Sequence, residues 1–348
     1  MGSNVESSGS SELPREITPR RIALRGLEVI GFLVVLVLIA VLAPGLGEVR
    51  SALEGAEPSW IVLGVAFEFL SCVSYVLMFG PVFCRSMSWR TSWEIGWAEL
   101  GVGSIVPASG AAGVALGAWI LARRGMPAER VARRSVAFLL LKSSVNFIAV
   151  AVLGALMAVG LFGPPLSLLL TALPAALAAG SLALVLAVPR LGPGEDPPPD
   201  ASKPRRWLTS ARRAIITGTT EAIEILRSRD LRVLVGAVGY WAWDNAVLWA
   251  TFHAVGASIP ITVVLMGYLI GQLGGLLPIP GGVGGIDGGL IGTLVVYGAP
   301  AGVTVAAVLA YRLILFWVPL LGGIGAFASL RRGMHDRERR DLHEPAPV

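Results

Sequence analysis

Charged residues are scarce in this sequence: Asp, Glu, Lys and Arg make up 15% of its 348 residues, whereas hydrophobic residues make up 54%. An average soluble domain is about one quarter charged, so this composition excludes an ordinary water-soluble fold. Several apolar runs approach the roughly 20 residues that a helix needs to cross a bilayer. Together with a mean hydropathy of +0.72, these runs predict an all-α polytopic membrane protein.

Cysteine is almost absent as well, since the chain has only Cys72 and Cys84. Two cysteines cannot make a disulfide framework, and we interpret both as packing residues. The sequence also lacks the H-E-x-x-H, C-x-x-C, G-x-S-x-G and Walker motifs, which mark common metal, redox, acyl-transfer and nucleotide sites. We therefore expect neither an enzyme nor an ATP-driven pump, and no catalytic residue, cofactor or metal.

The net charge of +5 and the pI near 9.7 raise the question of a nucleic-acid partner. The basic residues, however, lie in clusters at the ends of apolar runs, where membrane orientation and contact with anionic lipid account for them. No nucleic-acid partner is expected. The same clusters predict a protein of the cell membrane with both termini and the linker from Pro189 to Arg206 on the cytoplasmic side.

The stretch from Gly271 to Pro319 is apolar but interrupted, because two prolines and four glycines fall within residues 278–285. No helix continues smoothly through such a segment, and a broken backbone in lipid needs a protein cover or a watery cavity. A helix restarting near Gly284 would point its N–H groups at an anion. The predicted substrate-binding residues at this break are Gln272, Pro278, Pro280, Gly281, Gly282, Gly284, Gly285 and Asp287.

A second interrupted run extends from Trp93 to Leu121. Gly103, Pro107, Gly110, Gly113 and Gly117 of this run match Gly274, Pro278, Gly281, Gly284 and Gly288 at a constant shift of 171 residues. Chance is the alternative in a chain with 43 glycines, but proline also matches proline, so we infer an internal repeat. The candidate binding residues at this break are Pro107, Ser109, Gly110 and Gly113.

The basic clusters give each half two spans, a re-entrant broken-helix hairpin and one further span, about six transmembrane helices in all. An odd number of crossings in each half makes the repeat inverted, a design typical of secondary transporters. The predicted segments are a disordered cytoplasmic tail (1–22), a first membrane repeat (23–188) with a hairpin (93–121), a cytoplasmic linker and amphipathic helix (189–229), a second membrane repeat (230–330) with a hairpin (261–297) and a cytoplasmic tail (331–348).

Four charged residues fall inside predicted spans, where each costs at least a few kcal/mol if it faces lipid. Each half offers one acid and one base, Glu68 with Lys142 and Asp244 with Arg312. They could be structural ion pairs, and we favour a structural role for Glu68. Alternatively, Lys142 and Arg312 receive an anionic head group while the acids release it or carry protons. We favour binding for Arg312, whose guanidinium suits phosphate bidentately.

The run LPIPGGVGGIDGGL, followed by YGAP and AYRLILFWVPLLGG, resembles the C-terminal signature of the flippase-like membrane domain of lysylphosphatidylglycerol synthases. The run VPASGAAGVALGAWILARRGMP resembles that family's first-half motif. The resemblance implies movement of a phospholipid or related amphiphile between leaflets. The family usually has Glu where this chain has Asp287, and no aminoacyl-transferase domain follows Leu330, so we expect a standalone member that does not make lysyl-lipid.

The favoured function is therefore an integral membrane lipid transporter for a phospholipid or other anionic amphiphile. A secondary transporter or channel for a small solute is the alternative, and an intramembrane transferase or hydrolase is less favoured. The expected partner is the lipid itself, and a homo-oligomer or a separate lipid-modifying enzyme would be further partners.

Overall fold

The computed structural model describes residues 47–105, 111–192, 202–271 and 285–341, with residues 27 and 31 alone before them. These residues fold into helices, and none of them forms a strand. The helices are α1 (Gly47–Glu54), α2 (Pro58–Phe83), α3 (Trp89–Ile105), α4 (Ala111–Arg123), α5 (Ala128–Ala158), α6 (Leu168–Ala187), α7 (Lys203–Arg227), α8 (Leu231–Ala254), α9 (Ile261–Gly271), α10 (Gly285–Val296) and α11 (Ala301–Asp341).

Four of the described helices are long and apolar enough to cross a membrane: α2, α5, α6 with the 3₁₀ turn that extends it to Leu191, and α11 as far as Leu330. The predicted all-α polytopic membrane fold is thus confirmed. About six spans are expected, and two of them are not among these four helices. One is the first apolar run, which lies almost wholly outside the described residues. The other is α8, which has 24 residues and a length of about 36 Å, but whose polar and aromatic side chains lower its hydropathy.

Local sequence accounts for where several helices begin and end. Proline opens α2 at Pro58, where its missing N–H would have had no helical partner. Asp230 caps α8 by accepting a hydrogen bond from the Arg232 main-chain N–H at 3.1 Å. Between α10 and α11 the chain turns at Gly298 with a φ of 97°, a conformation that favours glycine. These residues therefore set where the helices begin and end.

Each interrupted run contains a pair of helices that lie side by side and antiparallel. In the second run, Gly267 of α9 faces Leu294 of α10, and Gly271 faces Leu290. In the first, Glu99 of α3 lies against Gly113 of α4. Both runs therefore double back at their breaks, and the second helix of the later run begins at Gly285, close to the predicted start.

The centre of the bundle is an antiparallel pair formed by α2 and α8, which pack along most of their length. Gly236 lets α8 approach Ser74 and Met78 of α2, and the Ser71 hydroxyl donates to the Tyr240 carbonyl at 3.2 Å. Helix α11 packs on α3, whereas α5 packs on α6 and α9. The helix pairs α3–α4 and α9–α10 thus flank the central pair.

The linker helix α7 is attached to α5 by ion pairs and by buried side chains such as Ile216 and Ala222. Arg133 and Arg134 of α5 both form ion pairs with Glu221 of α7. Side chains of α7 are buried on one side of the helix, while Trp207 of the same helix is 72% exposed. The predicted C-terminal tail begins as a helical continuation of α11, which extends to Asp341.

Candidate functional site

Two cavities lie beside the central helix pair. The larger cavity has a volume of about 310 Å³ and is lined by α5, α8, α9, α10 and α11. The smaller cavity has a volume of about 190 Å³ and is lined by α2, α3, α4, α5, α8 and α11. Their linings share four residues, namely Lys142, Tyr240, Asp244 and Leu315. The two cavities are therefore neighbouring compartments of one site, separated by these side chains.

The ends of the broken helices line these cavities. Gly271, the last residue of α9 before its break, lines the larger cavity. Gly103 and Ser104 at the end of α3, with Gly113 at the start of α4, line the smaller one. Described residues on either side of the first interruption, and the last described residue before the second, therefore line the two cavities.

Glu68 and Asp244 lie on facing sides of the α2–α8 pair and line the smaller cavity together. Both are buried. Cys72 donates through its thiol to Oε1 of Glu68 at 3.6 Å, whereas Oε2 of Glu68 has no hydrogen-bond partner among the described residues. The two acids that the sequence places in different halves thus meet at the centre of the bundle.

Asp244 is held by two tyrosines of the larger cavity. The Tyr311 hydroxyl donates to Oδ1 at 3.0 Å, and the Tyr268 hydroxyl donates to Oδ2. Hydrogen bonds to an ionised carboxylate are stronger than those between neutral groups. Asp244 is therefore a fixed, hydrogen-bonded acid between the two compartments.

Arg312 makes its ion pair with Asp287, not with Asp244. Its Nε donates to Oδ1 of Asp287 at 2.6 Å, and Nη2 contacts the same oxygen. The acid and base of the second half, Asp244 and Arg312, therefore do not form the ion pair considered from the sequence among the described contacts, because Asp287 in the first turn of α10 contacts the guanidinium. A guanidinium has five N–H donors, so Arg312 keeps donors for a second anion in the larger cavity that it lines.

Lys142 lies between two aromatic rings. Its Nζ is 5.7 Å from the ring centre of Tyr75 and 5.4 Å from that of Tyr240, within the range of cation–π attraction. No carboxylate oxygen of the described residues lies within the 4.0 Å ion-pair distance of this Nζ. Lys142 faces both compartments and is the cation best placed to meet an incoming anion.

Glu99 is a member of the site that the sequence reasoning did not select. It is 2% exposed, and the Tyr75 hydroxyl donates to its Oε2 at 2.6 Å. Its Oε1 has no hydrogen-bond partner among the described residues. The sequence does contain a signal for Glu99, which is an acid in the apolar run WAELGVGSI just before the break. The four charged residues selected within spans do not include it because it lies in a hairpin.

The structure brings together the predicted residues Glu68, Gly113, Lys142, Asp244 and Arg312, with Asp287 bonded to the last. Gly285 begins α10. In the part of the chain that is described, no group of three His, Cys, Asp or Glu side chains is placed to hold a metal ion. The remaining predicted residues lie outside the described segments: Pro107, Ser109, Gly110, Gln272, Pro278, Pro280, Gly281, Gly282 and Gly284.

The family relationship rests on a match across most of the chain. Residues 29–323 match the model of the lysylphosphatidylglycerol synthase TM region, a segment that contains both hairpins and both cavities. The chain belongs to this family. The resemblance that the sequence motifs indicated is therefore confirmed, and the lysylphosphatidylglycerol synthase TM region is the fold on which the site is built.

Two curated relatives of this family member are UPF0104 membrane proteins of Methanothermobacter thermautotrophicus. One is 37% identical over 98 residues, which is 28% of this chain and 27% of the relative. The other is 23% identical over 325 residues, which is 86% of this chain and 93% of the relative. The first match spans only about a quarter of that relative, while the second extends over nearly the whole of it.

Proposed function

We propose that this protein transports a phospholipid or a related anionic amphiphile between the leaflets of the cell membrane. The observation that carries the proposal is the larger cavity, in which Lys142 and Arg312 present two cations inside an apolar helix bundle. Charged side chains at membrane depth are costly and mark substrate pathways. Membership of the lysylphosphatidylglycerol synthase TM region is consistent with a lipid substrate.

The size of the cavity fits a head group rather than a whole lipid. A volume of about 310 Å³ lies at the lower end of the roughly 300–1,000 Å³ of small-molecule pockets. The acyl chains would therefore stay in the bilayer while the phosphate contacts Lys142 and the donors of Arg312 that Asp287 does not use. A small anionic solute of the same size is the second candidate.

We further propose that the two halves form an inverted repeat with re-entrant hairpins. Helices α2 to α5 would correspond to α8 to α11, and their contacts support this assignment. The packing of α11 on α3 has its counterpart in the packing of α5 on α9. The corresponding helices α2 and α8 pack antiparallel, as a two-fold axis in the membrane plane requires. Both termini and the linker would then be cytoplasmic.

The test is transfer of fluorescent phosphatidylglycerol in proteoliposomes, measured by the accessibility of the label to an external quencher. Arg312→Lys keeps the charge but loses the planar fork. Loss of one charge-assisted hydrogen bond, about 1.5–3 kcal/mol, should slow transfer tenfold or more without a matching loss of stability. Arg133→Lys, which also removes an ion-paired guanidinium but outside both cavities, is the control and should transfer normally.

Two results would count against lipid transport, and two others would count against the role of Arg312 and against the inverted repeat. Liposomes that pass a small anion but not the labelled lipid would favour the solute transporter, and chemical change in the lipid would favour an enzyme. Full transfer by Arg312→Lys would remove Arg312 from the binding role. Cysteine labelling that places residues 203 and 259 on the same side of the membrane would overturn the inverted repeat.

A further inference from the structure

The smaller cavity contains an acid whose surroundings suit reversible protonation. Glu99 lies on α3 with its carboxylate over Gly117 of α4, so that no side chain separates the two helices there. One oxygen accepts the Tyr75 hydroxyl hydrogen bond. The other, Oε1, is buried without a partner among the described residues, although it belongs to a residue that lines the cavity. An unpartnered carboxylate oxygen at a cavity can bind a proton.

The groups facing Glu99 come from each helix around it. Helix α2 presents the Tyr75 hydroxyl, and α5 presents Lys142, which attracts the carboxylate electrostatically. Helix α4 presents glycine, and α11 presents the uncharged Leu315 and Pro319 at this cavity. Glu68 and Asp244 line the same cavity from α2 and α8, and Arg312 lies in the larger cavity, bonded to Asp287. Lys142 also attracts Asp244, but that carboxylate accepts hydrogen bonds from Tyr268 and Tyr311 and is attracted by Arg312 as well. Among the described residues, Lys142 is thus the cation that compensates Glu99.

Lys142 lines both cavities and therefore links the two compartments of the site. When the larger cavity holds no anion, the positive charge of Lys142 compensates the carboxylate of Glu99. An anion that binds Lys142 neutralises this positive charge, so the carboxylate of Glu99 is no longer compensated. An uncompensated buried carboxylate is strongly unfavourable. The charge of the site is restored if Glu99 takes up a proton as the anion enters.

We propose that Glu99 binds one proton each time an anionic head group binds Lys142, and loses it when the head group leaves. This inference rests on the proposed lipid transport. The proton comes from water, forms an O–H bond at Oε1 of Glu99 and returns to water on release. Anion and proton would then bind and leave together, which gives a means of coupling transport to a proton gradient.

Glu68 provides the matched comparison. It is also buried, lines the same cavity and has an unpartnered oxygen. Its charged neighbour across the helix pair, however, is the carboxylate of Asp244 rather than Lys142. Protonation of Glu68 should therefore not follow occupation of Lys142, and Glu68→Gln is the control for Glu99→Gln.

The experiment adds short-chain phosphatidylglycerol to the purified full-length protein in weakly buffered detergent solution. A pH-sensitive dye reports proton uptake, and calorimetry reports lipid binding. The unmodified protein and Glu68→Gln should take up about one proton for each lipid bound. Glu99→Gln should bind the lipid without proton uptake. Tyr75→Phe keeps the ring beside Lys142 but removes a hydrogen bond to the ionised carboxylate, and should raise the pH midpoint of uptake by about one unit.

The outcomes separate this proposal from the function on which it rests. Lipid binding without proton uptake by the unmodified protein, or unchanged uptake by Glu99→Gln, would refute the coupling and leave lipid transport intact. Loss of proton uptake in Glu68→Gln alone would show that Glu68, and not Glu99, binds the proton. No binding of phosphatidylglycerol at all would refute the proposed function and the coupling with it. If Glu99→Gln does not fold, an unshifted midpoint in Tyr75→Phe is sufficient to reject the role of Glu99.

Discussion

The contact between Glu99 and helix α4 provides a quantitative test of the hairpin packing. Gly113 and Gly117 lie one turn apart on α4 and both face Glu99. A methyl group at position 113 would overlap the main-chain carbonyl of Glu99, and one at position 117 would overlap its carboxylate. Gly180 of α6 has open space where its methyl group would lie. Alanine substitution at the three positions therefore compares two obstructed sites with an open one.

The expected differences follow from packing and helix propensity. Replacing glycine by alanine within a helix stabilises it by up to about 1 kcal/mol, a gain that all three variants share. Overpacking costs typically 1–3 kcal/mol, which only the two variants of α4 incur. Gly113→Ala and Gly117→Ala should thus be roughly 1–3 kcal/mol less stable than Gly180→Ala. Gly113→Ala should lie at the upper end, because backbone moves less readily than a side chain.

Truncation of Glu99 distinguishes the two obstructed sites. Glu99→Ala removes the carboxylate that blocks position 117 but leaves the carbonyl that blocks position 113. In double-mutant cycles, Glu99→Ala should therefore offset the cost of Gly117→Ala and leave that of Gly113→Ala unchanged. Unfolding of the detergent-solubilised protein, followed by tryptophan fluorescence, measures each variant. Equal stabilities for the three alanine variants would contradict the close packing of α3 on α4. So would a result in which Glu99→Ala offsets the cost of both Gly113→Ala and Gly117→Ala.

Two further predictions concern ion pairs. Arg312→Ala and Asp287→Ala should be coupled by roughly 1.5–3 kcal/mol in the same unfolding assay, because each removes the partner of the other; additive effects would exclude the pair. At the start of α8, hydrogen bonds from Arg232 hold the pKa of Asp230 below its usual range. Since the folded pKa is the lower one, this stabilisation is complete above the unfolded pKa of about 4 and is lost as pH falls through the folded value. Asp230→Asn should flatten the acid limb of the stability profile, and an unchanged limb would exclude this contribution.

Much of the fold could be predicted from the sequence because membrane helices have strong local signals. Hydrophobic runs locate α2, α5, α6 and α11, and glycine with proline locates both breaks. The end of α9 at Gly271 and the start of α10 at Gly285 lie beside the interruption that composition alone marks. These features depend on the chain's own residues and not on their neighbours in space.

The pairing of the charged side chains could not be predicted in the same way. It depends on how each helix is rotated about its axis, which the hydrophobic pattern leaves open in a bundle whose outer faces are also apolar. Arg312 therefore pairs with Asp287 of a neighbouring helix, and not with the acid of its expected partner span. The tyrosines that hold Asp244 come from two helices and have no sequence signal of their own.

The two halves differ most in the acids of their hairpins. At the shift of 171 residues, Asp287 corresponds to Leu116 and Glu99 corresponds to Ile270. The first hairpin thus carries its carboxylates, Glu94 and Glu99, on α3, whereas the second carries Asp287 on the opposite arm, α10. As a result, Arg312 is directly bonded to an acid, whereas Lys142 lies between aromatic rings.

In the proposed function, this difference gives separate tasks to the two cations, one from each half of the sequence. An anion that approaches Arg312 must share it with Asp287, since breaking a partly buried pair leaves a carboxylate uncompensated. An anion that approaches Lys142 displaces cation–π contacts, which are worth about 1–2 kcal/mol, and in the proposed coupling Glu99 takes up a proton as the charge of Lys142 is neutralised. In the proposed transport cycle, Lys142 is therefore the primary anion contact and Arg312 a secondary, oriented one.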